Sequence, residues 1–99
     1  MNRNQVLKII ADHRETLARD FGVKSLALFG SVVRDEANAA SDVDLLVEFD
    51  DRPIGLFHVS RTQHYLEKIL GIASVDLVLR DGIKPALKER ILGEAIDAA

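Results

Sequence analysis

Asp42-Val43-Asp44-Leu45-Leu46-Val47-Glu48-Phe49 alternates with a period of two, the spacing at which successive side chains fall on opposite faces of a strand. Val43, Leu45, Val47 and Phe49 share one face, and Asp42, Asp44, Leu46 and Glu48 share the other. The segment is therefore a strand with a core side and an acidic side. Immediately before it, residues 38–41 read as a turn and residues 31–37 as a short helix. Upstream again, Ser-Leu-Ala-Leu-Phe over 25–29 is a short apolar run ending at Gly30, the pattern of a buried strand. Val6, Leu7, Ile10, Leu17 and Phe21 recur at helical spacing, with Asn4 available as a cap and Gly22 placed as a stop.

Beyond the acidic strand, residues 50–55 contain Pro53 and form a loop. Leu56, Phe57, Val59, Leu66, Ile69 and Leu70 make a helical stripe closed by Gly71, with Thr62 as a polar interruption. Val-Asp-Leu-Val-Leu over 75–79 is a third strand that carries Asp76 in its interior. Pro85 suits the first turn of a last helix, whose buried stripe is expected at Leu87, Ile91, Leu92, Ala95 and Ile96. Helices alternating with strands predict an α/β layered fold, a small sheet with flanking helices, and one domain over residues 1–99.

A 99-residue chain that is 47% hydrophobic can build one modest core. With no cysteine, disulfides, thiolate zinc sites and cysteine nucleophiles are excluded together, so a bound metal must use carboxylate or imidazole ligands. Sixteen acidic against thirteen basic residues, a net charge of −3, argue against a broad nucleic-acid footprint, which needs clustered Lys and Arg. No apolar run approaches the roughly 20 residues of a membrane span, and residues 1–5 lead into a charged amphipathic stretch, so a cytoplasmic location with no membrane partner is expected.

Two carboxylates at i and i+2 of a strand point the same way, with Cα atoms about 6.6 Å apart. If the strand of Asp76 is the neighbour, at about 4.8 Å, three carboxylates converge on one point of the sheet. Such acids repel one another unless a cation offsets them. Mg²⁺ prefers oxygen ligands and usually takes one or two protein carboxylates together with substrate phosphates. Two ions roughly 3.5–4 Å apart would serve an in-line displacement at phosphorus. Gly30-Ser31, at a strand-to-helix junction, offers backbone N–H groups to an anion, and Arg34 lies one turn later. Each piece alone has a plainer reading: Gly-Ser as a cap, Asp-x-Asp as a solvated edge, Asp76 as a satisfied acid. Their joint order and spacing favours a site for phosphoryl or nucleotidyl transfer.

Gly30-Ser31-x-x-Arg34, Ser41-Asp42-x-Asp44-Leu45-Leu46-Val47 and Val75-Asp76-Leu77-Val78 together resemble the minimal nucleotidyltransferase family, of the DNA polymerase β-like superfamily. The likeness spans nearly the whole chain. It implies the polymerase β-like fold and a triphosphate held by Gly30, Ser31 and Arg34. It also implies two Mg²⁺ ions bound by Asp42, Asp44 and Asp76, with Asp76 serving the catalytic metal and accepting the proton of the attacking hydroxyl. Such domains act as antitoxins beside an all-helical HEPN ribonuclease toxin, which implies AMP transfer from ATP to a toxin tyrosine. Asp35 stands where the family commonly has glycine. Two other functions remain open: neutralisation of the toxin by binding alone, and nucleotidyl transfer to a small-molecule hydroxyl.

Arg52 and His58 imitate the spaced Arg…His motif of the toxin partner, but Pro53 and Gly55 interrupt it, and the match is discounted. His13, His58 and His64 lack metal-ligand spacing. Tyr65 is expected to pack, and Lys84, Lys88 and Arg90 to form the solvated face of the last helix.

Overall fold

The computed structural model describes residues 2–30, 32–33 and 43–98. In chain order these form α1 (Arg3–Asp12), α2 (Arg14–Phe21), β1 (Val23–Phe29), β2 (Val43–Phe49), α3 (Leu56–Leu70), β3 (Val75–Leu79), a 3₁₀ turn (Arg80–Gly82), α4 (Pro85–Glu94) and β4 (Ile96–Asp97). The strands lie in the order β3-β2-β1-β4. β1 runs antiparallel to both β2 and β4, whereas β2 and β3 are parallel. This is the mixed sheet with flanking helices that the alternating pattern predicts. The helix expected over 31–37 lies, apart from Val32 and Val33, outside the described residues.

The first helix differs from expectation at both its start and its middle. Its cap is Asn2 rather than Asn4: Asn2 Oδ1 accepts the Gln5 N–H at 2.9 Å and Gln5 Oε1 accepts the Asn2 N–H at 2.9 Å. The residue three beyond Asn4 is Leu7, which cannot return such a bond. The helix then divides at His13. Its ring Nδ1 donates to the Ile9 carbonyl at 2.7 Å, the acceptor its own amide would use in an unbroken helix. That amide bonds Ile10 instead, at 3.1 Å, and α2 starts afresh with Leu17 N–H on the His13 carbonyl. α2 and α3 end at Gly22 and Gly71, as their spacing predicts.

The core lies between one face of the sheet and α1–α3. Leu26 and Leu28 of β1, Val43, Leu45 and Val47 of β2 and Val75 of β3 meet Val6, Ile10, Leu17, Leu66 and Leu70. The core side read from β2 is therefore correct. Leu46, on the acidic side, is buried too, flanked in register by Ala27 and Val78. Thr62 sits fully buried within the α3 stripe and donates its hydroxyl to the His58 carbonyl at 2.9 Å. Tyr65 packs as expected, its ring 4.7 Å from that of Phe21.

Two expected apolar stripes are corrected. Leu56 and Phe57, in the first turn of α3, are 83% and 85% exposed. This turn is continuous in pattern with the buried part of α3 but contributes nothing to the buried core. Leu56 instead lines an open groove with Phe49, Ile54 and Leu79, at the far end of β2 from Asp44. In α4 no residue is buried. Lys84, Lys88 and Arg90 are exposed as expected, but so is Leu87. The helix ends at Glu94, and Ile96 pairs with Leu28 as part of β4. A two-residue strand is too short to show a period, so the helical spacing ran through it unopposed.

No helix among the described residues is long and apolar enough to cross a membrane.

Candidate active site

β1 ends at Phe29, and the chain leaves it through Gly30 with φ +81°. Only glycine adopts this backbone without cost. A side chain is also excluded by space: a Cβ at Gly30 would overlap Asp44 Oδ2 and stand 2.9 Å from Asp44 Cγ. Gly30 and Asp44 are thus pressed together, because Phe29 and Asp44 are register partners across β1 and β2. Asp44 is half-buried on the sheet face opposite the core.

On the other side of β2, Asp44 is the register partner of Asp76 in β3. Partners in adjacent strands lie about 4.8 Å apart and point to the same face, so the strand pairing inferred from sequence is present and it aligns these two acids. Asp76 is solvent-exposed rather than an interior acid. Asp44 and Asp76 therefore stand side by side in a row across β2 and β3, and Gly30, one residue past the Phe29 that pairs with Asp44, lies against it at the end of β1. The other expected members, Ser31, Arg34 and Asp42, lie outside the described residues, as does Asp35. Among the described residues no three His, Asp or Glu side chains form a metal-binding group.

Two contacts around this row were not read from the sequence. The Gly30 N–H donates to Glu94 Oε1 at 3.2 Å, across 64 residues of chain. Arg3 of α1 donates from Nη1 to the Val33 carbonyl at 3.1 Å, which ties the segment just past Ser31 to the first helix. Neither has a local signal, since each joins parts of the chain that only the fold makes neighbours.

The discounted Arg52 and His58 have structural duties. Arg52 donates through Nε to Asp50 at 2.9 Å and through Nη1 to the Arg19 carbonyl at 3.3 Å. His58 Nε2 donates to the Phe21 carbonyl at 2.5 Å, closing α2. Asp50 also accepts the Arg52 backbone N–H at 3.1 Å. That bond, with the one from the guanidinium, holds the Asp50 carboxyl below the ordinary range. Asp20 is held low in the same direction by its hydrogen bond from Arg19. Both shifts belong to the surface around the C-terminus of α2, away from the row of acids.

Residues 10–98 match the nucleotidyltransferase domain family. The protein adenylyltransferase MntA of Thermococcus cleftensis is 37% identical over 92 residues, 93% of this chain and 91% of that protein. A solved structure classed as a minimal nucleotidyltransferase superposes with a TM-score of 0.74 at 37% identity, covering 97% of this chain and 95% of the other. A toxin–antitoxin structure with AMP-PNP shares the fold, with a TM-score of 0.71 at 20% identity over 90% of this chain and 72% of its counterpart. With the match extending over nearly all of its length, and with glycine turn and paired acids in the arrangement described, this chain belongs to the nucleotidyltransferase domain family.

Proposed function

We propose that this chain is a protein adenylyltransferase that acts as the antitoxin of a HEPN ribonuclease toxin, transferring AMP from Mg²⁺-ATP to a toxin tyrosine. The observation that carries the reading is the alignment of Asp44 with Asp76 beside the Gly30 turn. Family membership supports nucleotidyl-transfer chemistry at this row, and the name of the Thermococcus relative, a protein adenylyltransferase, supports a protein acceptor.

In this reading Gly30 and Ser31 hold the triphosphate, and Arg34 faces the same phosphates. Gly30 contributes closeness: without a side chain, its backbone lets the phosphates approach Asp44. Asp42, Asp44 and Asp76 would hold Mg²⁺. Asp44 and Asp76 fit that ion as hard oxygen donors on one sheet face, and Mg²⁺ usually takes one or two carboxylates from protein. When bound, the metal neutralises charge on the phosphates and on the entering and leaving oxygens. Asp76, the exposed member, faces the side from which an acceptor arrives and takes the proton of its hydroxyl. The acceptor oxygen forms a bond to the α-phosphorus, the bond from that phosphorus to the β-phosphate oxygen breaks, and pyrophosphate leaves.

The test is to incubate the purified protein with Mg²⁺, ATP and a HEPN toxin protein, and to measure the intact mass of that partner. The expected result is an added AMP that disappears with Asp42→Asn or Asp44→Asn. No mass shift with any divalent metal, together with toxin inhibition that survives both substitutions, would replace this reading with neutralisation by binding alone. A shift on a small-molecule hydroxyl instead of the partner would replace it with the antibiotic-modifying type of reaction.

A further inference from the structure

We infer that Glu94 is a positioning residue for the nucleotide site: its carboxylate, delivered by the pairing of β4 with β1, fixes the Gly30 amide and so sets the turn that receives the triphosphate. The inference rests on the reading of Gly30 as part of that site.

The contact is built into the sheet. β4 pairs antiparallel with β1 through Ala27 opposite Asp97 and Leu28 opposite Ile96, and the Ala98 N–H reaches the Leu26 carbonyl at 2.7 Å. Continued by two residues, the same register brings Glu94 opposite Gly30. There its Oε1 accepts the Gly30 N–H at 3.2 Å. Gly30 is buried, and a buried amide left without an acceptor is costly, so the bond is one the fold needs at this point.

Gly30 is consequently held from two sides. Asp44 of β2 presses on its Cα, and Glu94 beyond β1 holds its amide. The bond to Glu94 fixes the peptide plane that leads into Gly30, and the contact with Asp44 fixes where its Cα sits. An acceptor in this place could act in two opposite ways. It could hold the turn in its receptive shape, or it could compete with phosphate for the amide. The burial of Gly30 favours the first, because its N–H needs an acceptor within the fold and the Ile96–Leu28 pairing two residues on keeps the backbone of Glu94 close to β1. The spacing of β4 to α4 supports the same view: Glu94 is the last residue of α4, separated by Ala95 alone from the strand that anchors it.

Three variants separate the roles. Glu94→Gln keeps an Oε1 that can accept the Gly30 N–H. Glu94→Asp keeps the charge but falls one methylene short, and Glu94→Ala removes the acceptor. Binding of Mg²⁺-AMP-PNP is measured by calorimetry, KM for ATP and kcat by AMP transfer, melting temperature by calorimetric scanning, and exchange of the Gly30 amide by NMR without nucleotide. Glu94→Asp and Glu94→Ala are expected to weaken nucleotide binding by about tenfold or more, the scale of one lost hydrogen bond to a charged group. The Gly30 amide should exchange faster in both. Glu94→Gln should stay within about threefold of wild type, since the acceptor is retained.

Tighter nucleotide binding in Glu94→Asp or Glu94→Ala would show that the carboxylate competes with phosphate, and would overturn the inference. So would unchanged nucleotide binding and KM in Glu94→Asp while its Gly30 amide exchanges faster, or an equal loss in Glu94→Gln and Glu94→Asp. Should Glu94→Ala fail to fold, the Asp and Gln pair still decides the matter. A wild-type protein that binds no Mg²⁺-AMP-PNP would remove the nucleotide-site reading and the role of Glu94 with it. Wild-type binding matched by Glu94→Asp removes the inference alone.

Discussion

Replacing Gly30 with alanine probes the closest contact in the site. At φ +81° an alanine enters the left-handed region, at a cost of about 1–2 kcal/mol. Its Cβ would also overlap Asp44 Oδ2. That second clash involves the end of a side chain, so the cheaper relief is for the Asp44 carboxylate to turn away and leave the β1–β2 ladder intact. The two consequences should therefore separate. Stability should fall by the backbone cost, about 1–2 kcal/mol, which for a domain of this size lowers the melting temperature by about 4–16 °C. Transfer of AMP should fall by about a hundredfold or more, since a carboxylate displaced by about 1 Å at a reacting centre costs on that order. Calorimetry of the free protein gives the first quantity and a time course of partner mass gives the second. An unchanged melting temperature would refute the reading of the Gly30 backbone. A lowered one with transfer within about threefold of wild type would make Gly30 a turn residue with no part in the site.

Phe57→Ser should change unfolding free energy by no more than about 0.5 kcal/mol, because the ring is 85% exposed. Leu66→Ala, nine residues or about 13.5 Å further along the helix at about 1.5 Å per residue and fully buried, should cost about 2–5 kcal/mol. Urea titrations measure both, and equal costs would contradict the division of α3 into an uncovered first turn and a buried remainder. The Asp50 carboxyl, held low first by the Arg52 backbone N–H and then by the Arg52 guanidinium, has a folded pKa below its unfolded value of about 3.9. The sign follows: its contribution is complete above about pH 4 and is lost as pH falls through the lower, folded value. Asp50→Asn should flatten that part of the acid limb and leave the stability profile above pH 5 parallel to wild type. A difference that instead grows above pH 5 would show that another group dominates.

What could be read in advance depended on how far apart in sequence the cooperating residues lie. The β2 segment states its two faces in eight residues, and β3 states its identity in five, so Asp44 and Asp76 were visible, as was their shared face once the two strands were neighbours. Gly22 and Gly71 marked helix ends for a similarly local reason. The break at His13 escaped because it depends on a ring taking the place of a backbone amide at the Ile9 carbonyl, and histidine at that spacing fits a helix equally well. The shift of the first cap from Asn4 to Asn2 was accessible in principle, since Gln5 completes the reciprocal pair with Asn2 alone.

The end of the chain was the hardest to read, and it bears on the site. Leu87, Ile91, Leu92, Ala95 and Ile96 keep helical spacing across the boundary between α4 and β4, so periodicity predicts a longer, more buried helix than the one that forms. The observed ending trades that stripe for two ladder residues, and the trade puts Glu94 against Gly30. Had the helix continued through Ile96, the last turn would have carried Glu94 on its surface, with no register to bring it to β1. The acidic half of the candidate site is thus specified by a local alternation, while the amide half depends on a strand two residues long. This division makes a physical claim about robustness: substitutions that lengthen α4 should loosen the Gly30 turn, read as faster exchange of its amide, while the pairing of β2 with β3 that aligns Asp44 and Asp76 stays in place.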